Sequence, residues 1–247
     1  MTTNGQESLS AAFILHTRKY RDTSLIADLL TETEGRLSVV IRGARGKRSR
    51  YPGSLQPFVP LLVSWYGRGE LKTARSIDFP GRASRLNGEA LLTGMYVNEL
   101  LYRLLGKFDP VPAIFSAYGE LLAVLEGSVA PHAALRRFEM VVLAELGYGI
   151  SLDVEAGSGE AVQDDRLYRY VPEEGLIPLP AEVYDGHDRP PPGTFSGRDL
   201  LAVARGQLED PVVERTAWQI TRSSLNVLLG DRPLKSREIL LKQRELP

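Results

Sequence analysis

Residues 58–78 read FVPLLVSWYGRGELKTARSID. Phe58 to Tyr66 is an apolar run of strand length, Gly67-Arg68-Gly69-Glu70 is a tight-turn sequence, and Leu71 to Asp78 alternates as a strand does. Two such runs around a short Gly-containing turn predict a β-hairpin. Upstream, Ala12–Thr17, Ser24–Leu30 and Leu37–Arg42 are further runs of strand length, with a turn at Thr33-Glu34-Gly35-Arg36. Five short strands in about 70 residues predict a small closed barrel. The strand count fits an OB-type and an SH3-like barrel equally.

Downstream of Pro80-Gly81 the period changes. Leu86–Leu105, Val111–Leu125 and Ala133–Leu146 carry apolar residues at helical spacing, with Asn87 placed to cap the first and Gly106, Gly127 and Gly147 placed to end them. Three helices joined by short loops predict a helical bundle. Residues 151–193 are acidic and rich in Gly and Pro, with one predicted hairpin (Leu167–Val171, then Leu176–Leu179 after Glu173-Glu174-Gly175) and a stiff Arg189–Gly193 linker. Helical patterning returns at Ser196–Ala204, Pro211–Leu229 and Lys235–Lys242. The chain therefore reads as α+β in four parts: a barrel (1–80), a helical domain (81–150), an acidic hairpin segment (151–193) and C-terminal helices packing back on the helical domain (194–247).

The 247 residues contain 43% hydrophobic and 25% charged side chains, the balance of an ordinary globular protein. With no Cys, disulfides, thiolate zinc sites and Cys nucleophiles are excluded, and the three His are scattered. No apolar run approaches the roughly 18 residues a membrane helix needs. The opening MTTNGQESLS has no basic and apolar signal pattern, so a cytoplasmic protein without a membrane partner is expected. No dinucleotide fingerprint or nucleophile elbow is present, and Gly43–Ser49 lacks the four-residue spacer of a phosphate loop. Neither catalytic residues nor cofactors are expected.

The net charge of −1 conceals a segregated distribution. Residues 1–80 carry +5, 81–150 carry −1, 151–210 carry −8 and 211–247 carry +3. From Arg36 to Arg50 stand six cations (Arg36, Arg42, Arg45, Lys47, Arg48, Arg50) and no acid, with Arg68, Lys72 and Arg75 on the last hairpin. Glycines 43 and 46 let backbone approach a phosphate. Tyr51, Trp65 and Tyr66 supply π-faces nearby, unless they belong to the core. Cations with aromatic rings are the means by which single strands are held without sequence readout. A second feature is Leu135-Arg136-Arg137-Phe138-Glu139, two helical arginines beside apolar side chains, which suits a carboxylate next to an apolar pocket. A third is the basic Pro233-Leu234-Lys235-Ser236-Arg237. A protein-interaction adaptor whose basic loop meets an acidic protein is the competing class. A metal-dependent nuclease would need a carboxylate cluster that residues 36–50 lack.

The ordered set Leu15-His16-Thr17-Arg18, Gly35-Arg36-Leu37, Arg42–Ser49, Leu55-Gln56-Pro57-Phe58, Gly67–Thr73, Tyr96–Leu101, Leu135–Glu139, Leu146-Gly147-Tyr148-Gly149 and Pro233–Arg237 resembles the RecO family of bacterial recombination mediators over nearly the whole chain. The resemblance implies an N-terminal OB-fold, a helical domain, and non-catalytic binding of single- and double-stranded DNA with annealing of complementary strands. It also implies partnership with RecR, indirect action on RecA, and capture of the acidic tail of single-strand-binding protein (SSB), mapped here onto Arg136, Arg137 and Phe138. Many members carry a Cys-based zinc module where this chain has Ala156-Gly157-Ser158-Gly159-Glu160, so here the hairpin must hold by packing alone.

Overall fold

The computed structural model describes residues 9–46, 49–51, 55–80, 86–127, 131–180, 193–232, 234–236 and 239. Five strands form the first part: β1 (Ser10–Tyr20), β2 (Ser24–Thr31), β3 (Gly35–Ile41), β4 (Pro60–Tyr66) and β5 (Leu71–Asp78). They close in the order β1-β2-β3-β5-β4, with β4 returning to β1. The β3–β5 pair is parallel and the others antiparallel. A five-stranded Greek-key barrel is the OB arrangement, which resolves the two alternatives left by the strand count. Alternate residues point inward along each strand, so Ile14, Ala27, Leu29, Leu37, Val39, Leu61 and Val63 build one core.

Two helices, α1 (Gly88–Leu104) and α2 (Pro112–Gly127), pack on this barrel. Their attachment starts from an irregularity in β1. The β1–β2 register shifts between Ile14 and His16, and such a bulge leaves ladder carbonyls without strand partners. Asn98 of α1 fills the gap: its amide donates to the Ile14 and Leu15 carbonyls at 3.3 and 3.1 Å. The Asn98 carbonyl in turn accepts from the Tyr118 hydroxyl of α2 at 2.6 Å. Tyr118 is fully buried, and burial pushes its phenol above the ordinary range. Phe13 packs against both Phe115 and Tyr118.

The chain divides into two compact units, residues 1–128 with 233–247 and residues 129–232. This grouping differs from the four-part sequence reading, which put α1 and α2 with the later helices. The physical reason is the Asn98 and Phe13 network, which ties both helices to the barrel.

The second unit holds α3 (Pro131–Glu145), β6 (Leu167–Val171), β7 (Gly175–Pro178), β8 (Thr194–Ser196), α4 (Gly197–Ala204) and α5 (Pro211–Leu229). The predicted hairpin is β6–β7, and β8 adds a third strand in the order β7-β6-β8 that the sequence reading missed. Tyr168, Leu176, Phe195, Leu200, Ala217 and Ile220 form its core. Around the segment without cysteines, Glu155 accepts from Tyr168 Oη at 3.2 Å and from Ser158 Oγ at 3.0 Å, and the Gln163 amide donates to Tyr168 Oη. The donor set for thiolate zinc is absent, and a hydrogen-bonded tyrosine occupies the centre of the module. Among the described residues no helix is long and apolar enough to cross a membrane.

One glycine in the first unit has no substitute. Gly35 opens β3 at φ +64, and a Cβ there would lie 1.7 Å from the Asp109 carbonyl oxygen. Gly35→Ala is expected to lower the stability of this unit by more than about 2 kcal/mol, since the left-handed backbone alone costs about 1–2 kcal/mol. A urea midpoint unchanged from the parent would contradict that placement.

Candidate nucleic-acid interface

The β1–β2 turn comprises Arg21, Asp22 and Thr23, between the paired residues Tyr20 and Ser24. Lys19 pairs with Leu25 of β2, which pairs with Ile41 at the end of β3. Neighbouring strands lie about 4.8 Å apart, so the end of β1 and the end of β3 stand about 10 Å from one another. This register brings Arg18, Lys19 and Arg21 to the same end of the barrel as Arg42 and Arg45. All five are exposed. At this end opens a cleft of about 560 Å³, lined by Tyr20, Arg21, Arg42 and Gly43 and completed by Leu71 and Thr73 of β5.

Local sequence explains how the walls are held. Gly43 has φ +67, which lets the chain turn immediately after β3. The turn carries Arg45 back to the β1–β2 connection, where its amide donates to the Thr23 carbonyl at 2.8 Å and its Nη1 to the Arg21 carbonyl at 3.4 Å. Arg21 lies over the Tyr20 ring, 5.2 Å from its centroid. Arg18, Lys19 and Arg42 have no side-chain partner among the described residues.

The sequence-predicted cations fare differently. Arg42 and Arg45 line or brace the cleft. Arg50 and Arg68 are exposed, on the β3–β4 and β4–β5 connections. Lys47 and Arg48 lie outside the described residues. Arg36 stands apart from the others: it is the second residue of β3, six residues and about 20 Å of strand from Arg42. Its Nε donates to the Leu105 carbonyl at 2.9 Å and its guanidinium sits over Tyr102, so it fastens α1 to the barrel. Lys72 donates to the Gly67 carbonyl and covers the Phe108 ring. Arg75 falls where the β4–β5 register shifts and lies over Tyr66, beside a separate cavity lined by Leu9, Glu34 and Trp65. Lys72 and Arg75 therefore have different surroundings. Glu70, the carboxylate of that hairpin turn, is taken up by Lys107 at 2.7 Å, and this bond and charge hold its pKa below the usual carboxylate range.

Of the aromatic side chains expected near the basic loop, Tyr51 and Trp65 pack against the barrel core. Tyr66 is exposed but faces Arg75. The ring that does line the cleft is Tyr20, which sequence reasoning missed along with Lys19 and Arg21. The available signal was the run Arg18-Lys19-Tyr20-Arg21 at the end of a strand. His16, nearby on β1, stands with Nδ1 3.7 Å from the buried Asp28, whose other oxygen accepts from Ser38 Oγ at 2.5 Å.

The two helical arginines have different surroundings. Arg136 is 5% exposed, with Nη1 2.8 Å from Glu139 Oε2, and Phe138 is 2% exposed. Neither presents itself to a peptide, because both are buried. Arg137 is exposed and pairs with Glu209, whose carboxyl this hydrogen bond holds below its ordinary pKa. The basic C-terminal motif does receive an anion, but one from its own unit. The amides of Lys235 and Ser236 donate to the two Glu99 carboxylate oxygens at 3.0 and 2.8 Å, and Ser236 Oγ donates at 2.6 Å. Pro233 and Arg237 lie outside the described residues.

Comparison with known proteins agrees with this architecture. A family model described as recombination protein O N terminal matches residues 6–79, and one described as recombination protein O C terminal matches residues 85–238. A protein of Yersinia enterocolitica serotype O:8, named DNA repair protein RecO, is 47% identical over 234 residues, 94% of each chain. Proteins of the same name from Yersinia pestis (strain Pestoides F) and Yersinia pseudotuberculosis serotype O:1b are 47% identical over 229 residues, 92% of each chain.

Proposed function

The chain belongs to the recombination protein O family, with a role in DNA recombination and repair, and we propose that it acts there as a non-catalytic DNA-binding mediator. The observation that carries this reading is the gathering of Arg18, Lys19, Arg21, Arg42 and Arg45 at one end of an OB-type barrel, beside a cleft that Arg21 and Arg42 line. Turns and strand faces at this position of an OB-fold are where oligonucleotides bind. Cations there neutralise phosphates and release condensed counterions, an interaction that single and double strands share. Two strands held close and partly screened pair faster than free strands, which supplies annealing. The acidic stretch 151–210, at −8, repels DNA and limits binding to the basic end. With RecR, such a protein would help RecA onto strands coated by SSB. For the acidic SSB tail the accessible candidate is Arg137, with Arg136 and Phe138 as its buried support.

Fluorescence anisotropy of a labelled single-stranded oligonucleotide across a salt series tests the reading, with annealing followed in the same buffers. Tight binding at low salt is expected, with a log–log slope of about −3 for four or five single-strand phosphate contacts, and faster annealing. Absence of binding at low salt would reject the DNA-binding reading and leave the adaptor, whose basic loop meets an acidic protein.

A further inference from the structure

We propose that Tyr20 is a stacking subsite for one unpaired nucleobase and that it gives the cleft a preference for single strands over duplex. The inference rests on the nucleic-acid reading above and deepens it by naming the form of DNA preferred.

Three features single out this ring. Among the described residues it is the aromatic side chain that lines the cleft. Of the other rings near the basic face, Tyr51 and Trp65 pack against the barrel core, and Tyr66 lies under Arg75, away from the cleft lining. Its face is also open to a planar group from outside the core: the Arg21 guanidinium already lies over it, 5.2 Å from the centroid. A nucleobase is a larger planar group with the same requirement. It can take the ring face while Arg21 moves to an adjacent phosphate or covers the base from the other side.

The platform is also held in place. Tyr20 is the last paired residue of β1, and Arg21 enters the turn at φ +47, a left-handed conformation that a non-glycine residue keeps only when its surroundings fix it. Arg45 does so, through the Arg21 and Thr23 carbonyls. The one carboxylate of the turn, Asp22, is not part of the cleft lining.

The selectivity follows from geometry. A ring that must lie flat on a base face cannot reach a base that is stacked and paired in a duplex. Phosphate contacts, by contrast, are available in both forms. Stacking also accepts every base, so the preference is for strandedness and not for sequence.

The test uses the full chain and three labelled ligands of equal length: oligothymidylate, an abasic oligonucleotide with the same phosphates, and a duplex. The parent, Tyr20→Leu and Tyr20→Phe are compared. Tyr20→Leu is expected to weaken oligothymidylate binding about 10- to 100-fold, the usual worth of one base–aromatic stack. It should leave the abasic strand and the duplex within about twofold of the parent, and Tyr20→Phe should retain parental behaviour throughout. Equal losses on all three ligands would overturn the proposal. So would a parent that binds the abasic strand as tightly as oligothymidylate, a comparison that needs no variant to fold. Both results leave DNA binding standing. A parent that binds none of the three rejects the underlying reading as well.

Discussion

Arg136→Ala is expected to destabilise the second unit by about 3–5 kcal/mol, the cost of removing one partner of a buried ion pair. The pair is dry on both sides: Arg136 and Glu139 side chains are 6% and 2% exposed. Thr221 of α5 completes it, donating to Glu139 Oε2 at 2.7 Å and receiving Arg136 Nη1 at 3.5 Å. Glu214, also of α5, stands 3.5 Å from Arg136 Nε. One guanidinium thus joins α3 to α5 at two points. Without it, the Glu139 carboxylate loses its cation in an interior that cannot solvate its charge.

The measurement is thermal unfolding followed by a probe in the second unit, where a loss of this size lowers the transition by more than about 10 °C. Arg137→Ala, one residue along, removes an exposed pair with Glu209 and an exposed bond to the Gly206 carbonyl, and should leave the transition where it is. Replacing both members, Arg136→Met with Glu139→Leu, should recover much of the loss, because the charge is then no longer stranded. If Arg136→Ala unfolds normally but abolishes binding of an acidic, Phe-ending peptide, the arginine is a ligand contact and the structural assignment fails.

The contrast between these adjacent arginines marks what sequence reading captured. Periodicity placed α3 and α5 within a few residues, because Leu135, Phe138 and Val142 repeat at helical spacing and Asp210-Pro211 is a strong start signal. The Arg136–Glu139 spacing of three was visible as well. Its acceptors Thr221 and Glu214 were not, since they come from a helix more than seventy residues away. The barrel was legible from alternation and turns, and its OB order came from the resemblance, not from strand counting. Strand β8 was illegible because Thr194–Ser196 is three residues long and exists only as a partner of β6. The assignment of α1 and α2 to the barrel depended on carbonyls freed by a bulge, which no local pattern encodes. The basic loop misled for a related reason. Contiguity from Arg36 to Arg50 suggested one patch, but an extended strand separates Arg36 from Arg42, and register then brings in Arg18–Arg21 instead.

That rearrangement fixes the expected outcome for DNA binding. Arg18→Ala, Lys19→Ala and Arg42→Ala together remove three exposed cations that lack side-chain partners among the described residues. If each meets a phosphate, the log–log salt slope for a single strand should become shallower by about 2. The gain from counterion release grows as salt falls, so affinity should drop by about 400-fold at about 50 mM salt, with the two lines converging toward about 1 M. The loss should be the same for every base composition, because phosphates carry no sequence. Folding should be intact, since none of the three side chains holds another element. Arg36→Ala is the matched control. Its guanidinium bonds Leu105 and covers Tyr102, so it should lower stability and leave the slope unaltered. A triple variant with the parental slope would remove the β1 and β3 ends from the DNA path, and a slope that changes with Arg36→Ala would move that path to the opposite end of β3.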